Sequence, residues 1–280
     1  MHFGDIEVRH LDGGLFWLDG GSMFGIVPKT LWEKKITPDE RNRIPLAANS
    51  LLVHANGKNI LVETGNGTKW DARLRGIYNF TEGDPYMQSL ASAGVKPERI
   101  DLVINTHLHF DHAGGNTKFA SGRAVPAFPN ARYIVQKAEL EHALHPNERD
   151  RASYYAHDFM PITAAGQWQL VDGDAEILPG ISVVKTPGHN MQVQAVQIRG
   201  GGKKLMFVAD LIPTRHHLPL AWIIAYDLYP LISLETKRKW LGEFVEDDWI
   251  VAFGHDPEIP AGTLHEQDGK VVCEPVDLSR

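Results

Sequence analysis

Cysteine is nearly missing from this chain: Cys273 stands alone, which excludes an intrachain disulfide and gives no hint of secretion. Long apolar runs are missing too; none reaches the roughly 18 residues that a membrane span needs. Basic clusters are short, the longest being Lys237-Arg238-Lys239, which reads as the solvated face of a helix. With a net charge of −7, the chain lacks the electrostatic footprint of a nucleic-acid binder. Its start, Met1-His2-Phe3-Gly4-Asp5, has no charged segment leading into an apolar one, so no signal peptide is expected, and the default is a cytoplasmic protein. What is present is ordinary for a soluble protein with a sizeable core: 43% apolar and 22% charged residues over 280 positions.

Against that background one stretch stands out, Asn105-Thr106-His107-Leu108-His109-Phe110-Asp111-His112-Ala113-Gly114-Gly115. It follows an apolar run, Ile100 to Ile104, broken only by Asp101, which reads as a buried strand emptying into a loop. His107 and His109 are two apart, so on an extended backbone both imidazoles project to one side. Asp111 and His112 follow as the chain turns, and Gly114-Gly115 is expected to supply a sharp bend before a helix. Unpaired imidazoles and a carboxylate at the end of a buried strand are costly without a partner, and a two-metal nest supplies one.

The pattern H-x-H-x-D-H after an apolar strand resembles the signature of the metallo-β-lactamase superfamily. Three later pieces match that family in order: Thr186-Pro187-Gly188-His189, Ala209-Asp210 and Phe253-Gly254-His255. The resemblance implies an α/β fold, a four-layer αβ/βα sandwich, here read as one domain over residues 1–280. It also implies a ligand set in which His107, His109 and His189 hold one divalent metal ion, Asp111, His112 and His255 hold the other, and Asp210 bridges them. Imidazoles and carboxylates suit zinc, and also iron, manganese or cobalt, while no thiolate is on offer. Where the family usually reads Asp-Thr-Gly, with a carboxylate that orients ligands, this chain has Glu63-Thr64-Gly65, and the longer arm is expected to reach the same partner.

Elsewhere the pattern places short strands at Asp5 to Leu11 and Gly14 to Leu18, split by a hairpin at Asp12-Gly13-Gly14. Residues 19–46 read as a long irregular segment whose Phe24, Ile26 and Trp32 either pack on the core or line an entrance. Strands follow at Ala47–Ala55 and Asn59–Glu63, joined by the favoured turn pair Asn56-Gly57. A helix over Tyr86–Ala93 starts at the cap Asp84 and Pro85. Then come a strand at Ala131–Val135, a helix at Lys137–Leu144, and an aromatic, charged segment from Asn147 to Phe159, read as surface or lid. Strands at Ile181–Lys185, Lys204–Val208 and Trp249–Phe253 deliver His189, Asp210 and His255, with Val193–Ile198 pairing Lys204–Val208 in a hairpin, a helix Leu234–Phe244 capped by Ser233 and a terminal hairpin over 263–274. Two halves, 1–165 and 166–280, each carry a hairpin and a ligand-bearing strand.

The chemistry expected of this set is hydrolysis by a hydroxide held between two cations, with Asp111 shuttling a proton to the leaving group. The segment after Asp210 is expected to overhang the metals, with His216, His217 or Tyr226 donating to a substrate oxygen and Trp222 and Phe24 walling a pocket. Catalytic roles are therefore assigned to Asp111, Asp210, His216 and Tyr226. This segment and Ala127-Phe128-Pro129-Asn130 resemble the branch of lactonases and methyl parathion hydrolase-like enzymes, which implies small esters, above all acyl-homoserine lactones, as substrates. Organophosphate triesters and β-lactams are the alternatives within hydrolases, and a mononuclear iron dioxygenase of a sulfur substrate is the alternative from another class. The expected partners are a small-molecule substrate and, through the apolar segments 19–32 and 218–232, a second copy of the chain; neither nucleic acid nor membrane is expected.

Overall fold

The computed structural model describes residues 1–278, so the last two residues of the expected 1–280 domain, Ser279 and Arg280, lie outside the described region. The first sheet takes β1 (His2–Phe3), β2 (Ile6–Asp19), β3 (Arg43–Ala55), β4 (Lys58–Val62) and β5 (Leu102–Ile104) in sequence. A short separate hairpin, β6 (Thr117–Ala120) and β7 (Arg123–Pro126), intervenes before β8 (Arg132–Gln136) and β9 (Trp168–Val171) complete that sheet in parallel. The second sheet is β10 (Ala175–Leu178), β11 (Ile181–Lys185), β12 (Gln194–Gly200), β13 (Lys203–Phe207), β14 (Ile250–Ala252), β15 (Ala261–Gln267) and β16 (Lys270–Pro275).

Eight α-helices accompany the described strands: α1 (Gly20–Phe24), α2 (Lys29–Trp32), α3 (Ala72–Tyr78), α4 (Pro85–Ser92), α5 (Phe110–Ala113), α6 (Lys137–Leu144), α7 (Ala156–Ala164) and α8 (Pro230–Glu246). Alternating side chains of the two sheets meet in one inner core, where Val8, Val53 and Ile104 pack with Val183, Ile198 and Phe207. The outer face of the first sheet is covered by Tyr86 and Leu90 of α4 and Ile162 of α7, against Leu52, Leu61, Val103 and Tyr133. The outer face of the second sheet is covered by Trp240, Leu241 and Phe244 of α8, against Met206, Val208, Val251 and Leu264. Helix, sheet, sheet, helix is the four-layer αβ/βα sandwich.

Several expectations change. The proposed hairpin at Asp12-Gly13-Gly14 is a bulge within the single long strand β2: Asp12 pairs with Asn49 and Leu15 with Ala47 across it. Glycine is required there because a Cβ on Gly13 would lie 2.3 Å from the Ala48 carbonyl oxygen, and Gly14 has φ of 83°. The segment 19–46 is not irregular throughout, since it folds into α1 and α2 and enters β3 at Arg43. The boundary between the halves falls at the turn after Val171 rather than at 165, because β9 hydrogen-bonds to β8 and so belongs to the first sheet. Helix α8 starts at Pro230, not after Ser233; the serine lies inside the helix with its hydroxyl committed to Asp227.

The glycines after the histidine motif also work differently from expectation. Gly114 has φ of −59°, an ordinary helical value, so the pair makes no left-handed bend. Its role is close approach: a Cβ on Gly115 would lie 2.2 Å from the Thr64 carbonyl oxygen, and one on Gly114 would lie 2.2 Å from that of Asn66. The Gly115 N–H donates to Gly65 O at 3.1 Å, and the Thr64 N–H to His112 O at 2.9 Å, which welds the loop after β4 to the motif. Backbone cannot yield as a flexible side chain does. Gly115→Ala is therefore expected to cost more than about 2 kcal/mol in chemical denaturation and to lower bound metal per chain, whereas Gly57→Ala, at an open turn, should leave metal content unchanged.

Candidate metal centre

Every candidate ligand lies where a strand ends. His107, His109, Asp111 and His112 follow β5, His189 follows β11, Asp210 follows β13 and His255 follows β14. His109 precedes α5, so Asp111 and His112 sit in its single turn. The side chains converge as two groups, His107, His109, His189 and Asp210, and Asp111, His112 and His255, with ligand atoms within 4.8 Å of one another in each. The Asp210 carboxylate stands between them. Its Oδ2 lies 3.1 Å from His189 Nε2 and 3.7 Å from His107 Nε2, while its Oδ1 lies 3.0 Å from His255 Nε2 and 3.3 Å from His112 Nε2.

The far nitrogens of the rings fix which lone pairs point inward. His189 Nδ1 meets Asp227 Oδ1 at 2.9 Å, His255 Nδ1 meets the Ala47 carbonyl at 2.9 Å, and His107 Nδ1 meets the Thr106 hydroxyl at 3.0 Å. With Nδ1 of His189 and His255 turned outward to these acceptors, Nε2 is the nitrogen each ring presents to the centre. Ring nitrogens then crowd together: His189 Nε2 is 3.1 Å from His109 Nδ1, and His255 Nε2 is 3.1 Å from His112 Nε2. His107 Nε2 and Asp210 Oδ1 are buried with no hydrogen-bond partner.

Charge tells the same story. Burial, reinforced by neighbouring imidazoles, holds His107 and His109 well below the ordinary histidine pKa, so both rings are neutral donors of lone pairs. Burial works against charge on Asp210 as well, yet His112, His189 and His255 outweigh it and hold the carboxyl well below the usual range. His112 goes the other way: burial opposes its charge, but Asp210, Asp111 and Glu63 pull its pKa well up. Three carboxylates around one buried ring demand positive charge at that point. Inward lone pairs, an unpartnered buried carboxylate oxygen and this demand together fit divalent cations, of the N/O-preferring kind.

The supports come from farther away. Glu63, with φ of 67°, accepts the Thr106 N–H at 2.7 Å through Oε1 and places Oε2 3.5 Å from His112 Nδ1. The longer arm thus lies beside His112. Asp227 takes a second hydrogen bond from the Ser233 hydroxyl, so the helix start at Pro230 orients His189 through a carboxylate. Glu139, fully buried on α6, accepts from the Leu108 N–H at 2.9 Å, from the Tyr154 hydroxyl at 3.0 Å and from Asn190 Nδ2 at 2.9 Å, tying together the two loops that carry His109 and His189.

A cavity of about 160 Å³ opens over the ligands, lined by His109, Asp111, His189, Asp210 and His255 and by Phe110, Tyr226 and Arg149. Tyr226 is 38% exposed at its rim. The other predicted substrate donors lie elsewhere. His216 lines a separate cavity of about 670 Å³ with Lys35, Trp222 and Arg238, because the short helical turn Arg215–His217 aims it away from the metals. His217 is a satisfied core histidine: it bonds the Thr214 hydroxyl and the Met23 carbonyl, each at 2.8 Å, and stacks on Phe24 at 4.8 Å. Phe24 and Trp32 are buried against each other in the core, so of the three residues considered for the entrance only Ile26 is exposed.

The family model of the metallo-beta-lactamase superfamily matches residues 43–255. The chain belongs to this superfamily. Among curated proteins, an N-acyl homoserine lactonase of Bacillus thuringiensis subsp. kurstaki is 30% identical over 217 residues, covering 71% of this chain and 77% of that protein. Among solved structures, a probable metal-dependent hydrolase from Staphylococcus aureus superposes with a TM-score of 0.90 at 30% identity, covering 99% of each chain. An N-acyl homoserine lactone hydrolase with the product N-hexanoyl-L-homoserine at its catalytic metal centre superposes with a TM-score of 0.71 at 26% identity, covering 92% of this chain and 95% of that one. This superfamily member is accordingly a metal-dependent hydrolase with a divalent metal site.

Two predictions follow from the supports. Asp227→Asn leaves His189 without its anionic anchor and should lower metal affinity about 10- to 100-fold, read by competition with a chromogenic chelator. Burial pushes the Glu139 carboxyl from 4.5 up to about 7. The folded state therefore binds the extra proton between those values, and stability falls as pH rises from about 4.5 to 7. Glu139→Gln should flatten that fall in urea titrations of metal-free protein; an unchanged slope would remove Glu139 as its source.

Proposed function

We propose that this chain is a dinuclear metal-dependent lactonase whose substrates are N-acyl homoserine lactones or close analogues. The observation that carries the reading is the Asp210 carboxylate, with one oxygen facing His107 and His189 and the other facing His112 and His255. In this reading His107, His109 and His189 hold one ion, Asp111, His112 and His255 hold the second, and Asp210 bridges; zinc suits the donor set best. The relatives named above support the substrate class, and residues 1–280 are read as one domain because both sheets share one inner core.

When bound, the two cations supply Lewis-acid polarisation and an activated water at neutral pH. The protein supplies the remainder. Apolar walls at Leu18, Met23, Phe110 and Ile224 receive a neutral ring and exclude bulk water. Tyr226 donates its hydroxyl proton to a substrate carbonyl oxygen; burial raises its pKa, so it stays a donor throughout the neutral range. As water adds to the carbonyl carbon it gives up a proton to the Asp111 carboxylate on the cavity wall, and as the ring C–O bond breaks Asp111 passes that proton to the departing alkoxide. A homodimer would cover Ile26, 90% exposed, and Leu231, 76% exposed, on the two segments named for it.

Two metal ions per gently purified chain are expected, with hydrolysis of N-hexanoyl homoserine lactone well ahead of a phosphotriester or a β-lactam. Asp210→Ala and His109→Ala should lose metal and turnover together. Tyr226→Phe should keep its metal and lose about 10- to 100-fold in kcat/KM. A single iron with oxygen consumption and no hydrolysis would overturn the reading, and a preference for the phosphotriester would replace its substrate.

A further inference from the structure

The cavity over the metal ligands carries one feature that ester hydrolysis itself does not use. Among its described lining residues, Arg149 is the sole lysine or arginine, set against Met23, Phe110, Ala152 and Ile224. Its position is built. The Arg149 N–H donates to the Asn147 side chain at 2.8 Å, and the Arg151 N–H donates to Asn147 O at 3.0 Å. The next residue, Asp150, is buried and holds His142 at 2.6 Å, while its carbonyl accepts the Ser153 N–H at 2.8 Å. From this anchored turn the guanidinium reaches across to the other half of the chain, where Nη2 donates to the Ala225 carbonyl at 2.7 Å. That carbonyl belongs to the residue before Tyr226. No carboxylate among the described residues forms an ion pair with Arg149.

A guanidinium has five N–H donors, and one bond to Ala225 places the group there while leaving others free. An exposed guanidinium with no ion-pair partner, tied to Ala225 at the mouth of the cavity beside Met23, Phe110 and Ile224, is a recognition group for an oxygen acceptor. We propose that Arg149 is a specificity-determining residue that donates to an acceptor the substrate carries outside the ester being cleaved. The identity of that acceptor rests on the lactonase reading: in an N-acylated amino lactone it is the amide carbonyl. Tyr226 then meets the scissile carbonyl and Arg149 meets the amide, the two donors being held at adjacent residues by one hydrogen bond.

The competing role is mechanical, with the bond to Ala225 serving only to strap two segments together. The metal-loaded enzyme and its Arg149→Ala and Arg149→Lys variants distinguish the two. Rates are compared on N-hexanoyl homoserine lactone and on γ-decalactone, which has a tail but no amide. Binding is compared by calorimetry on the corresponding ring lactams, N-hexanoyl-3-aminopyrrolidin-2-one and 5-hexylpyrrolidin-2-one, whose rings resist hydrolysis. Arg149→Ala should raise KM and Kd about tenfold for the amide-bearing pair, the size of one charge-assisted hydrogen bond, with changes under about twofold for the amide-free pair. Arg149→Lys should recover part of the loss. Equal losses on both pairs, or none on either, would overturn the proposal. Lactone turnover with variants equal to the parent leaves the lactonase reading standing and removes Arg149. A parent that hydrolyses no lactone, yet loses the amide-bearing lactam selectively on Arg149→Ala, removes the lactonase reading and keeps the Arg149 contact.

Discussion

Imidazole nitrogens from four different rings, aimed at one buried carboxylate, are costly to hold together in a protein interior. Each nitrogen has lost its water, and the carboxylate oxygen Oδ1 has no hydrogen-bond partner. A divalent cation held there would offset that cost. The rest of the architecture serves that requirement. Strands stop where they do so that ligands emerge together, two glycines vanish into a backbone contact so that one loop can lie on another, and Asp227, Glu63 and the Ala47 carbonyl hold the rings against rotation.

The candidate ligands were legible because each follows an apolar run and each falls in the order of a known signature. Local pattern also located elements whose ends are decided locally: Lys137–Leu144 and Ile181–Lys185 have the bounds expected of them, and Asp84 caps α4 through Met87 N–H as its sequence suggests. The failures share a different cause. Asp12-Gly13-Gly14 has turn composition, but whether such a triplet reverses the chain or bulges depends on the Ala48 backbone, which lies across the neighbouring strand. Ser233 has cap composition, but its hydroxyl is claimed by Asp227 six residues earlier.

Of the supporting residues, Glu63 was legible from its place in the signature, and Asp227 and Glu139 were not. Asp227 is separated from His189 by 38 residues and Glu139 from Leu108 by 31, and no periodicity links them. Loop side chains likewise resist reading. His216 and Tyr226 sit in one segment after the same aspartate, yet a single helical turn at Arg215–His217 sends one to an outer cavity and leaves the other over the metals. Direction within a loop is set by tertiary contact, and a sequence carries no record of that contact.

The candidate ligands come from both sheets, four from the loop after β5 and three from strand ends of the second half. The site therefore exists only while the two halves face each other, and any opening along that seam dissolves it. Divalent cation bound there would therefore add to the apolar core in holding the halves together, by an amount that grows with the logarithm of the free ion concentration.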